Sequence, residues 1–234
     1  MTTFFSPEAQ YLYNDLVLLP QKGATTGGSG RPPNSFAILF NDYSVLFDAP
    51  YSWTLAGIKD LADKGYPPRV LVLSHRNVAG QGDAFGTLQE NYNLPILLHP
   101  DDASHPEAKR SGVDFGDPMD DEVLKESGLE VIHFPGHTAG SVMLLWSAHG
   151  GVLLAGDCAV GPGPRQDQEP PRLERSPGPT ETMTEQLAEQ WRTFSRPLRT
   201  VGPLHGTVYQ DRDDLADIMR PLYDAPPMDP TGRR

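Results

Sequence analysis

Short apolar runs bounded by glycine, proline, asparagine or aspartate recur along the chain. They predict strands over 35–40, 44–47, 70–73, 96–98, 130–134, 141–146, 152–155 and 200–204. Asn41-Asp42 and His149-Gly150-Gly151 fit hairpin turns between such runs. Elsewhere the apolar positions fall at helical spacing and predict helices over 54–64, 84–92, 182–194 and 213–223. In the third of these, Thr182 and Glu185 have the spacing of a capping box. Met183, Leu187, Trp191 and Phe194 share one face, a stripe that reads as core packing rather than a cofactor contact. Strands mixed with helices, joined by hairpins and crossovers, indicate a layered α/β protein.

A length of 234 residues suits one sizeable domain, expected over 1–225, with 226–234 as a flexible tail. The 23 glycines and 24 prolines imply many turns, concentrated in predicted loops over 23–33 and 161–179. A long loop of the second kind often covers a site. The net charge of −12 repels phosphate backbones and anionic lipid, which disfavours nucleic-acid and membrane partners. No apolar run approaches the roughly 20 residues that span a bilayer. The N-terminus lacks the basic start and apolar stretch of a signal peptide. Cys158 is the single cysteine, so an intramolecular disulfide and a cysteine-based zinc knuckle are excluded. A cytoplasmic location is the expectation, with a small-molecule ligand or substrate as partner and a two-fold homodimer as the commonest assembly.

Several predicted strands run into a polar residue of one kind. The run over 70–73 leads through Ser74 to His75, and that over 130–134 leads through Pro135-Gly136 to His137. The run over 152–155 leads through Gly156 to Asp157, and that over 200–204 ends against His205. In layered α/β folds such positions line the ligand crevice. Three imidazoles and a carboxylate brought together there are suitable metal ligands. The same pattern also places His99 after 96–98, where a loop histidine with a local hydrogen bond is the ordinary reading. His105, His133 and His149 are likewise left outside the site. Spacing alone therefore leaves both a metal site and a set of unconnected loop histidines open.

The order and local context of these residues resemble the metallo-β-lactamase superfamily. That family carries H-x-H-x-D-H after one strand, then G-H-T-x-G-S, then G-D, then a last histidine. Gly136-His137-Thr138-Ala139-Gly140-Ser141 matches the second element in full. Gly156-Asp157 matches the third and His205-Gly206 the last, while Val45-Leu46-Phe47-Asp48 is similar to an early strand ending in a buried aspartate. The resemblance implies a four-layer αβ/βα sandwich with the site along one edge of its two sheets. It also shows what is missing. In the first element His75 is kept, but Asn77, Ala79 and Gly80 replace a histidine, the aspartate and the third histidine, with Gly82 still following.

By resemblance, His75, His137 and Asp157 form the first metal site, with Asn77 as a weak amide-oxygen ligand. The second keeps only His205 and the shared Asp157. If each zinc ligand supplies about 3 kcal/mol, losing two weakens the second site by about four decades. One divalent ion at most is expected, zinc, iron(II) or manganese(II). Asp157 and His205 are then the catalytic candidates. Asp48 is expected to be structural, and Thr138 and Ser141 to hold the loop bearing His137. Asp83, four residues on, could reach back to compensate for Ala79, although an aspartate in such a loop is ordinarily solvated. Cys158 reads as an inert buried thiol, Arg76 as a surface cation or a contact for an acidic substrate, and Tyr209 as a packing or cleft residue.

Two functions follow as expectations. One is a hydrolase with a reduced site, acting on a small ester, thioester or amide. The other is a pseudoenzyme that binds a small molecule or protein on the same scaffold without productive metal. A nuclease is disfavoured by charge, a true β-lactamase by the broken ligand set, and a flavin-linked di-iron role by the missing carboxylates.

Overall fold

A computed structural model describes residues 8–21, 33–161 and 171–224. Most of the predicted 23–33 loop, the first part of the 161–179 loop and the tail over 226–234 lie outside the described residues. Six strands lie side by side in chain order: β1 (Gln10–Tyr13), β2 (Leu16–Leu18), β3 (Phe36–Leu39), β4 (Ser44–Phe47), β5 (Pro68–Val72) and β6 (Ile96–Leu97). The first four are antiparallel, and β4, β5 and β6 are parallel. A second sheet contains β7 (Leu129–His133), β8 (Val142–Trp146), β9 (Val152–Gly156) and β10 (Thr200–Pro203), in the order β10-β9-β8-β7. Here β7, β8 and β9 are antiparallel and β10 is parallel to β9.

The period of two along these strands sorts their side chains into three separate cores. Phe36, Ile38, Val45, Phe47, Val70 and Val72 point into the space between the sheets. Val142, Leu144, Val152 and Leu154 meet them there from the other sheet. The alternate residues Ala37, Leu46, Leu71 and Leu73 pack outward into a second core. Met143, Leu145, Leu153 and Ala155 do the same on the opposite side, in a third. Strands buried on both faces read as near-continuous apolar runs, which is why the sequence predicts them.

The helices are α1 (Leu55–Asp63), α2 (Arg76–Gln81), α3 (Phe85–Tyr92), α4 (Pro100–Ala103), α5 (Pro106–Lys109), α6 (Glu122–Glu126), α7 (Glu181–Thr193) and α8 (Leu215–Asp224). Ile58 and Leu61 of α1 and Phe85 and Leu88 of α3 close the second core. Leu187 and Trp191 of α7, with Leu215, Ile218, Met219 and Leu222 of α8, close the third. Helix, sheet, sheet, helix is the four-layer sandwich. Among the described residues no helix is long and apolar enough to cross a membrane.

The structure differs from the predicted elements in three ways. The β1–β2 hairpin was not predicted, because β1 is a partly exposed edge strand with no apolar alternation. Helices α2, α4, α5 and α6 have only four to six residues and little periodicity to show. Helix α7 starts earlier than the Thr182 pattern implies: Thr180 is the capping residue, its hydroxyl accepting from the Met183 N–H at 3.3 Å.

One end of the sandwich gathers the polar residues. Leu144 pairs with Leu154 and Trp146 with Val152, so the start of β8 lies beside the end of β9. The loop from β7 to β8 therefore shares an edge with the loops that follow β9 and β10. The two sheets touch here: the Val142 N–H donates to the Ser74 carbonyl at 2.8 Å. Gly156 has φ +52°, and a Cβ on it would lie 2.5 Å from the Ser74 Cβ. Both the backbone angle and the close approach require glycine.

Candidate metal centre

At that edge His75, from the six-stranded sheet, faces His137, Asp157 and His205, from the four-stranded sheet. The Asp157 Oδ2 lies 3.7 Å from the Nε2 of His75, 3.7 Å from that of His137 and 3.8 Å from that of His205. His75, His137 and Asp157 form the mutually close set, their ligand atoms all within 4.8 Å of one another. His205 joins through Asp157. Two donors on a common tetrahedral zinc sit about 3.4 Å apart, and each Asp157–imidazole pair is within a few tenths of an ångström of that spacing.

Protonation and hydrogen bonding suit a cation. The Pro177 carbonyl accepts from Nδ1 of His137 at 3.1 Å, which leaves the Nε2 lone pair free. That Nε2 is buried without a hydrogen-bond partner, as are Oδ1 of Asp157 and Nδ1 of His205. A buried acceptor such as the His137 Nε2 or the Asp157 Oδ1 is costly without a donor or a cation beside it. His75 is 1 % exposed, and its Nδ1 is 2.9 Å from the Ser74 hydroxyl. Burial, reinforced by His137, His205 and Arg76, holds its pKa well below the usual histidine value. It is a neutral imidazole at pH 7, the form that binds metal.

The eroded motif occupies the first turns of α2. Ala79 is fully buried in the apolar core beneath that helix. Gly80 is exposed, and a Cβ on it would sit 2.7 Å from Cγ of Glu107. Asn77 is half-buried on the same helix. Asp83 does not stand in for Ala79. Both its oxygens are taken by Ser52, from the backbone N–H at 2.7 Å and the hydroxyl at 2.9 Å.

Other candidates also find definite places. Asp48 accepts from the Ser74 N–H at 2.7 Å and steadies the turn that delivers His75. The Thr138 and Ser141 hydroxyls are 2.7 Å apart, and Ser141 Oγ accepts the Thr138 N–H at 2.9 Å. Arg76 is not free for a substrate, since Asp102 and Glu107 flank its guanidinium at 3.1 and 3.7 Å. Tyr209 packs in the third core, its hydroxyl bonded to Arg172. Cys158 is buried against the Phe134 carbonyl, and burial pushes its thiol pKa well up.

Two residues of this region were not predicted from sequence. Tyr51 is 2 % exposed and stacked on Trp53 at 4.4 Å. Burial, then the carboxylates of Asp48, Asp157 and Asp83, keep its phenol protonated. Asp102 is buried beside both ligand-bearing loops, and no motif marks it. Its signal was the repeated His-Pro pair: His99-Pro100 and His105-Pro106 each open a short helix, with the imidazole Nδ1 accepting an N–H of the first turn.

A second grouping, His99, Asp101 and His133, fits a metal less well although its ligand atoms also lie within 4.8 Å of one another. The two rings stack at 3.9 Å and are within 12° of parallel, so their in-plane lone pairs run side by side rather than converge. His99 Nδ1 already accepts the Asp101 N–H, and His133 Nε2 donates to the Ala139 carbonyl at 2.9 Å.

No protein-family model matches the chain, and no curated protein matches it by sequence. Solved structures do match by shape. A metallo-β-lactamase from Pontibacter korlensis superposes with a TM-score of 0.65 at 16 % identity, covering 92 % of this chain and 98 % of that one. A metallo-β-lactamase from Hirschia baltica gives 0.62 at 15 % identity, covering 92 % and 95 %. The metallo-β-lactamase FIM-1 from Pseudomonas aeruginosa, in its mono-zinc form, gives 0.61 at 16 % identity, covering 86 % and 88 %. The chain has the metallo-β-lactamase fold, and its His/Asp cluster stands at the edge where the two sheets meet.

Proposed function

We propose that this chain is a metal-dependent hydrolase with a single-ion site, acting on a small ester, thioester or amide. The observation that supports it is the convergence of three imidazole Nε2 atoms within 3.8 Å of one Asp157 oxygen, with the His137 Nε2 buried and unpartnered. His75, His137 and Asp157 would hold the ion. A divalent ion there would polarise a substrate carbonyl and bring the pKa of a water down to about 7.

The remaining work falls to the chain's own groups. The Asp157 carboxylate stands at the centre of the three imidazoles. His205 is the most exposed of the four, at 29 % of its side chain, so it is the group a substrate meets. Its imidazole is placed to take a proton from water or return one to a leaving group. A second ion has no footing, because Ala79 and Gly80 supply no donor atoms. The solved mono-zinc form of FIM-1 is consistent with a one-ion site on this fold.

The same loss favours the rival reading, a binding module, since no carboxylate stands where Ala79 does. Elemental analysis and an ester and thioester panel separate the two. We expect about one zinc per chain after soaking, its loss in His137→Ala, and zinc-dependent turnover of at least one substrate class. Metal without turnover would leave the binding module, and no metal at all would end the hydrolase.

A further inference from the structure

The two loops that carry His75 and His137 come from different sheets, and one side chain joins them. Asp102 lies on α4, which supplies no ligand, and its carboxylate is fully buried. Its Oδ2 accepts the Arg76 backbone N–H at 2.9 Å and the Thr138 hydroxyl at 2.5 Å. Its Oδ1 accepts the Gly140 N–H at 3.1 Å and the Arg76 guanidinium at 3.1 Å. Arg76 directly follows His75, and Thr138 directly follows His137. A Cβ on Gly140 would lie 2.9 Å from the Asp102 Cγ, so that loop is drawn tight against the carboxylate.

We propose that Asp102 is a positioning residue for the metal centre, setting the separation of His75 and His137 before an ion arrives. This rests on the metal-site reading above. A carboxylate offers about four acceptor positions, and all four are used here, so Asp102 is saturated and is not itself a ligand. Each oxygen takes one donor from the His75 loop and one from the His137 loop, which cross-braces them. The ordering cost of bringing the loops together is then met on folding rather than on binding. Groups behind the ligands commonly govern metal affinity by about ten- to a hundredfold.

The test compares the full-length wild type with Asp102→Asn and Thr138→Val. An amide at 102 turns one acceptor into a donor, opposing two N–H or O–H groups and leaving Arg76 without its full counter-charge. Zinc affinity is measured by chelator competition and ligand geometry by the cobalt(II) absorption spectrum, both at a temperature where each variant is folded. We expect Asp102→Asn to weaken zinc ten- to a hundredfold and shift the cobalt bands, with Thr138→Val following in the same direction by less. Ile58→Val, on the buried face of α1 and making no contact with Asp102 by hydrogen bond, should lower thermal stability while leaving affinity and spectrum unchanged. Wild-type affinity and an unchanged spectrum in both site variants would overturn the proposal while the metal site stands. An equal loss of affinity in Ile58→Val would overturn it too, by making the effect one of general stability. If the wild type binds neither ion, the metal-site reading and this role fall together. Should Asp102→Asn fail to fold, Thr138→Val decides.

Discussion

Asp48 illustrates how much a single buried carboxylate costs. It has φ +51°, accepts the Ser74 N–H on Oδ1 and has no partner for Oδ2. Burial outweighs the hydrogen bonds from Ser74 and, with some help from Asp157, raises its pKa from 3.8 to about 7. Between about pH 4 and pH 7 the folded protein therefore keeps a proton that the unfolded chain has released. Stability falls as pH rises across that window, by up to about 4 kcal/mol. His75 works in the opposite sense: it is held neutral when folded and takes a proton when unfolded below its ordinary value of 6.5. Asp48→Asn removes only the first effect, and asparagine tolerates a positive φ. Urea unfolding of the metal-free proteins from pH 4 to pH 8 should show the variant gaining on the wild type as pH rises. Parallel curves would refute it. At this scale the His75, His137, Asp157 and His205 positions were legible because each follows a strand end, and family motifs supplied the order. Asp102 was not, because its partners are backbone groups and hydroxyls from loops remote in sequence.

Helix α2 shows why the missing ligands are not simply absent but replaced. Its six residues include Gly80 and the β-branched Val78, a poor helix former by composition. It holds because Val78 and Ala79 are buried in the outer core, next to Leu88 and Phe85. The position that carries the family's aspartate is thus a packing position here. Restoring it by Ala79→Asp would place a carboxylate among apolar side chains. We expect a loss of about 4 kcal/mol or more and no gain of a second ion. Chemical denaturation with metal counting checks both, and a stable variant holding two ions would show that α2 can turn its other face to the site. The strands of both sheets were readable in the sequence because they bury both faces. Short helices were not, since four to six residues carry too little periodicity, and α4 and α5 are capped by histidines rather than serine or aspartate.

On the scale of the molecule, the centre spans the seam between the two sheets. His75 is fixed to the end of β5, while His137, Asp157 and His205 hang on loops of the other sheet. Hydrogen bonds also cross the seam: the Val142 N–H donates to the Ser74 carbonyl at 2.8 Å, the Asn34 N–H to the Leu204 carbonyl at 2.6 Å, and Asp102 joins the loops of the two sheets. An ion bound only when the sheets are docked stabilises the docked state by mass action. At a thousandfold excess over its dissociation constant it contributes about 4 kcal/mol. For a chain of this size that corresponds to a rise in Tm of about 10 °C. Thermal unfolding should therefore shift upward with zinc, return with chelator, and lose its zinc dependence in His137→Ala while retaining a cooperative transition. A wild-type Tm that ignores zinc would mean that packing and hydrogen bonds close the seam unaided, and that the converging imidazoles do not hold an ion.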